Sequence, residues 1–262
     1  MTLEPLQYGL GAFSGSLVGL TLGLFGGGGS ILAVPLMVYL VGIKNPHLAI
    51  GTSAFAVAAN AFTGLLPHAR QGNVKWRCAG IYSVAGVIGA LIGSTIGKAF
   101  DGQKLLVLFA LLMLVIAGLM FRKRGHDGDP DAACTVENSP KVIGYGGLTG
   151  ILSGFFGIGG GFLIVPGLVA STGMPILFAI GSSLVAVAAF GLTTAVNYAW
   201  SGYVDWILAF VFIAGGFAGG LLGARLAKHL SGQKGTLHIA FAGLVCVVAV
   251  YMLWRSLPAL MA

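Results

Sequence analysis

Apolar residues occupy long stretches separated by short polar turns, at about 8–25, 30–43, 47–67, 77–97 and 105–121, and again at about 142–157, 161–173, 176–197, 206–224 and 236–254. Runs of about 20 apolar residues match the ~30 Å hydrocarbon core of a bilayer. With so few charges inside them, their backbone polar groups must be satisfied within helices. The pattern predicts an all-α polytopic membrane protein with eight to ten apolar helical segments. One longer polar stretch, RKRGHDGDPDAACTVENSPK, carries four of the seven acids with Pro and Gly, and reads as a solvated loop without chemistry. It divides the chain into a first transmembrane unit at 1–121, a loop at 122–141 and a second unit at 142–262.

The two units repeat one another. GLFGGGGSILAVP at Gly23 to Pro35 returns as GFFGIGGGFLIVP at Gly154 to Pro166. AIGTS at Ala49 to Ser53 returns as AIGSS at Ala179 to Ser183, and GQK at Gly102 to Lys104 as GQK at Gly232 to Lys234, both 130 residues on.

A continuous helix from 8 to 43 would be roughly 54 Å long, more than one crossing needs. The glycine break must therefore fold it. A hairpin gives an odd number of crossings and inverted repeats; a kink gives an even number and parallel ones. Positive charges favour the cytoplasmic side. The inverted model places Arg70, Lys75, Arg77, Arg122, Lys123, Arg124, Lys141, Arg225, Lys228 and Lys234 inside and Lys44, Lys98, Lys104 and Arg255 outside, ten against four; the parallel model gives eight against six. The expectation is two inverted repeats, each a Gly-broken helical hairpin plus three transmembrane helices, in the cell (inner) membrane.

Composition narrows the chemistry. Only 8% of the residues are charged and 57% are hydrophobic, which excludes a soluble domain. The net charge of +7 lies mostly at segment ends, where it sets topology, so no nucleic-acid partner is expected. The N-terminus lacks a basic n-region, so the first run reads as a retained helix. Cys78, Cys134 and Cys246 show no metal spacing and read as inert packing or loop residues. The histidines fall in or beside loops or near a helix start, with no facing pair of haem ligands. No metal and no cofactor is expected.

Glycines at every fourth position, as at Gly11, Gly15, Gly19 and Gly23, read as surfaces of close helix approach. The consecutive clusters at 26–29 and 157–161 differ: they disfavour an unbroken helix. Irregular backbone at membrane depth is tolerated where it lines protein or a cavity, and paired broken helices point to a transporter site. Neither cluster completes a nucleotide-binding pattern. The helices carry no Asp or Glu away from their ends, so cation coordination has no ligands. Half-helices restarting after the breaks would offer free N–H groups to an anion. Hydroxyls and amides at hand include Ser30, Thr52, Ser53, Asn60, Ser182, Ser183 and Asn197.

GGGG-S-ILAVP with AIGTS, repeated as GIGGG-FLIVP with AIGSS, resembles the sulfite exporter TauE/SafE family over nearly the whole chain. The resemblance implies transport of small sulfur-containing anions or organosulfonates. Its motif maps onto Gly27, Gly28, Gly29, Pro35, Gly51, Thr52 and Ser53, and onto Gly159, Gly160, Gly161, Pro166, Gly181, Ser182 and Ser183. Ser30 pairs with Gly161 and Asn60 with Phe190, so the halves of a site are not chemically identical. The expected substrate-binding set is Gly27, Gly28, Gly29, Ser30, Thr52, Ser53, Asn60, Gly159, Gly160, Gly161, Ser182, Ser183 and Asn197. Counting helix rise, each break should reach the depth of the other unit's G-[ST]-S. The function read from this is a permease moving a small anion across the cytoplasmic membrane by alternating access. The alternatives are a membrane-embedded enzyme or electron-transfer subunit, or a permease for another small solute.

Overall fold

Each apolar run folds as a helix, and the polar turns fall between them. The computed structural model describes residues 4–122, 129, 132, 134–135, 137–157, 161–230 and 236–261. In chain order the helices are α1 (Pro5–Phe25), α2 (Ala33–Pro35), α3 (Pro46–Arg70), α4 (Trp76–Ala99), α5 (Gly102–Arg122), α6 (Ser139–Phe156), α7 (Gly161–Thr172), α8 (Ile176–Trp200), α9 (Trp206–Leu230) and α10 (Thr236–Met261). By length and composition, Pro5–Leu40, Pro46–Arg70, Trp76–Ala99, Ile176–Trp200 and Trp206–Gly223 can each cross a membrane, and shorter apolar helices lie among them. Val84, Ile88 and Leu91 on α4 and Ile207 and Phe210 on α9 present large apolar side chains outward. Lipid, rather than water, suits such a surface. The chain is a multi-pass membrane protein.

The stretch from Pro5 to Leu40 is not one rod. Gly26 adopts φ 63°, a left-handed conformation that ends α1. Gly26–Leu32 then follows as a 3₁₀ helix, α2 adds one turn, and Leu36–Leu40 is wound as a π-helix. The chain has doubled back by this point, because the Gln7 amide near the start of α1 donates to the Val41 carbonyl at 3.0 Å. The segment is a hairpin. The same device recurs after α6, where Gly157 (φ 69°) breaks the helix before α7.

Packing is reciprocal across the two halves. α1 lies along α9, and α6 along α4. Gly15 and Gly19 sit on the backbones of Phe212 and Gly216, while Gly150 and Gly154 sit on those of Gly86 and Ala90. An added methyl at any of these four would strike backbone. The fourfold glycine spacing is thus a backbone-to-backbone contact, the geometry that small residues permit in membranes. α3 and α8 form the central pair and run in opposite directions. Gly51 near the start of α3 lies under the Tyr203 carbonyl, just past the end of α8; Gly181 near the start of α8 lies under the Asn73 carbonyl, just past the end of α3.

Two of the three cysteines are not inert packing or loop residues. Cys78, on the first turn of α4, forms a disulfide with Cys134, with the Cα atoms 5.3 Å apart and both residues buried. Two cysteines 56 residues apart carry no spacing signal, so only the fold could bring them together. The loop between α5 and α6 is accordingly not simply solvated. Ala132 is buried too, and the Asp129 N–H donates to the Gly173 carbonyl at 2.9 Å.

Candidate functional site

The two glycine breaks meet. Gly27 packs against the backbone of Gly161, the first residue of α7, and neither has room for a side chain. Val187 and Ser183 of α8 close the same spot. Ser183 Oγ accepts the Gly27 N–H at 3.3 Å and donates to the Ile180 carbonyl at 2.7 Å, so one hydroxyl ties the first break to the second unit's helix. Ser30 Oγ donates to the Gly27 carbonyl at 2.9 Å. Thr21 Oγ1 reaches the Gly29 carbonyl at 3.2 Å, folding the 3₁₀ turn back onto α1. Gly27, Gly28, Gly29 and Ser30 are all buried.

The crossing is reciprocal at its edges. Gly26 abuts Ile180, and Gly157 abuts Ile50. Each break therefore lies against the AIG-[ST]-S segment of the other unit, at the depth that counting residues along the helices predicts. Ser53 Oγ donates to the Ile50 carbonyl at 3.1 Å within its own helix. Gly159 and Gly160 lie outside the described residues.

Three of the expected site residues are employed elsewhere. Thr52 Oγ1 accepts the Asp205 N–H and Ser182 Oγ accepts the Lys75 N–H, both at 2.9 Å. These two hydroxyls latch each central helix to the turn that precedes α9 or α4. Asn197 lies 14 residues beyond Ser183, roughly 21 Å along α8. Its Nδ2 donates to Ser94 Oγ at 2.6 Å and Thr95 Oγ1 at 3.0 Å, while its Oδ1 and backbone carbonyl accept from Lys98 Nζ at 2.8 and 2.9 Å. Lys98 also donates to Ser201 Oγ at 2.8 Å. The arrangement joins the ends of α4 and α8, with the cation at a helix C-terminus. A groove of about 410 Å³ beside it, lined by Leu91, Leu192, Thr193, Val196, Asn197 and Trp200, opens on the apolar outer surface and not on the glycine crossing.

Asn60 is 3% exposed, and neither its Oδ1 nor its Nδ2 makes a hydrogen bond. It lies against Gly216 of α9. Residues that the sequence reading did not single out are Ile50, Ile180 and Val187, which wall the breaks. Ile50 and Ile180 lie inside the repeated AIG-[ST]-S motif, whereas Val187 is an ordinary apolar helix position that only the crossing distinguishes. Among the described residues, no three His, Cys, Asp or Glu side chains gather where they could hold a metal.

A family model for the sulfite exporter TauE/SafE matches residues 11–252. The chain belongs to this family. A probable membrane transporter protein of Xylella fastidiosa (strain 9a5c) is 51% identical, with both chains covered over their full length. One from Haemophilus influenzae (strain Rd) is 31% identical over 91% of this chain and 95% of its own, and YunE of Bacillus subtilis (strain 168), another probable membrane transporter protein, is 27% identical over 82% and 87%. No solved structure matches the TauE/SafE chain.

Proposed function

We propose that this TauE/SafE protein is a permease that carries a small anion, a sulfur oxyanion or organosulfonate, across the cytoplasmic membrane without chemical change. The observation that carries the reading is the meeting of the two glycine breaks at Gly27 and Gly161 with Ser183 beside them. Irregular backbone of this kind, from both halves at one depth, suits a substrate site between moving units. Helix α7 starts at Gly161 beside the crossing, and the positive end of its dipole there favours an anion. The names borne by its relatives agree with a transporter.

The units are inverted repeats, residues 1–121 and 142–262 about the loop at 122–141, and exchange access by rocking about the crossing. The opposed directions of α3 and α8 and the doubling back after Gly26 support this. Export of one negative charge from an inside-negative cell is favourable by about 2.3 kcal/mol per 100 mV, so no coupling ion is needed. The protein in liposomes should show saturable flux of sulfite, thiosulfate or a sulfonate that follows a valinomycin-set potential. Flux indifferent to that potential and driven by a proton or sodium gradient would overturn the uncoupled mechanism; no flux of any small anion would overturn the permease itself.

A further inference from the structure

Asn60 lies on α3 within about two turns of the glycine crossing, its amide set against Gly216, which in turn meets Gly19 of α1. On α3 it lies between Ala58, which faces Gly191, and Gly64, which faces Leu184, and so opposite the part of α8 that carries Val187. Val187 is one of the residues around Gly27. Burying an amide with neither its donor nor its acceptor used forfeits the hydration of both groups and weighs against folding. Hydroxyls of Ser14, Ser83, Ser153 and Thr194 are also buried without partners, but a hydroxyl on a helix can turn its proton to a carbonyl one turn back. A buried amide has no such local remedy. Retention of so unfavourable a group points to a guest that satisfies it.

Resting on the permease reading, we propose that Asn60 is the specificity-determining residue of the path. Its Nδ2–H donates to an anionic oxygen of the substrate, and its Oδ1 accepts from an O–H or N–H on the same molecule. The substrate class this selects is a small anion with a hydrogen-bond donor next to its anionic group, in preference to one of equal charge and similar size without it. The matching position in the other half is Phe190, which offers neither function. Recognition of the donor is therefore one-sided.

A pair of sulfonates differing by one hydroxyl, 2-hydroxyethanesulfonate and ethanesulfonate, tests this in liposomes holding the full-length protein. The wild type should move the hydroxylated anion about tenfold faster at limiting concentration, the worth of one or two hydrogen bonds. Asn60→Leu should bring the ratio close to one while its melting temperature stays level or rises. Should the leucine variant not fold, Asn60→Ala is read in the same assay, and Asn60→Thr, which retains a donor and an acceptor, should keep most of the preference. A wild-type ratio of one, or a ratio untouched by Asn60→Leu or Asn60→Ala, overturns the role of Asn60 alone. A wild type that moves no small anion, sulfite included, overturns the permease reading beneath it.

Discussion

Two notches in the molecule have the same backbone and different contents. At Gly86 on α4 the ring of Phe190 fills the space left by the missing side chain and stacks on Tyr82, centroids 6.4 Å apart. At Gly216 on α9 the amide of Asn60 occupies the matching place. A close-packed aromatic pair stabilises its helices, whereas a buried amide without partners weighs against folding. The duplicated scaffold has thus kept its helix contacts and divided its labour: one notch is filled for packing and the other is left chemically hungry.

The largest effect that would sharpen this contrast is at Phe190. Phe190→Ala opens a cavity between α4 and α8 and should lower stability by about 3–5 kcal/mol, read as loss of melting temperature in detergent. A loss below about 1 kcal/mol would mean that the ring does not hold the notch. Next come the glycines themselves. In Gly86→Ala the new methyl meets an aromatic ring stacked in place, whereas in Gly216→Ala it meets an amide that can swing aside, so the first should be the more destabilising by about 1–3 kcal/mol. Equal effects would deny that the two notches differ in rigidity. The smallest effect tests what the halves share. Thr52→Ala and Ser182→Ala each remove one 2.9 Å latch to a turn and should cost about 1 kcal/mol apiece, in step with each other. Unequal losses in thermal unfolding would break the reciprocity outside the notches.

Much of this was legible in the chain. Apolar runs marked the helices because a bilayer leaves the backbone no other partner than itself. The break at Gly26 to Gly29 foretold that the segment folds, because a rod of roughly 54 Å exceeds one crossing and adjacent glycines disfavour an unbroken helix; the choice of a hairpin over a kink came from the positive charges at the segment ends. The approach of Gly27 to Ser183 followed from counting depth. What could not be read was direction. Thr52 and Ser53 are adjacent, about 100° apart around α3, and the sequence does not say which points at a turn and which along the helix. Asn197 offered an amide of the right type, but its engagement with Lys98 depends on how α4 and α8 end together. The Cys78–Cys134 bond depends on where the loop lies over α4.

That bond also sets the mechanics of the molecule. It divides the loop after α5 unequally, with eleven residues between Arg122 and Cys134 and only four between Cys134 and Ser139, where α6 begins. Five extended steps reach roughly 18 Å at most, so the start of α6 is leashed to the start of α4 by a short covalent tether as well as by its glycine contacts. No cysteine occupies the corresponding places on α1 and α9. α4 and α6 thus share a covalent leash, like a hinge with its pin in place, while α1 and α9 are held by van der Waals contact and hydrogen bonds. A reductant reaching the loop would pull the pin from one side of the machine and leave the other as it was.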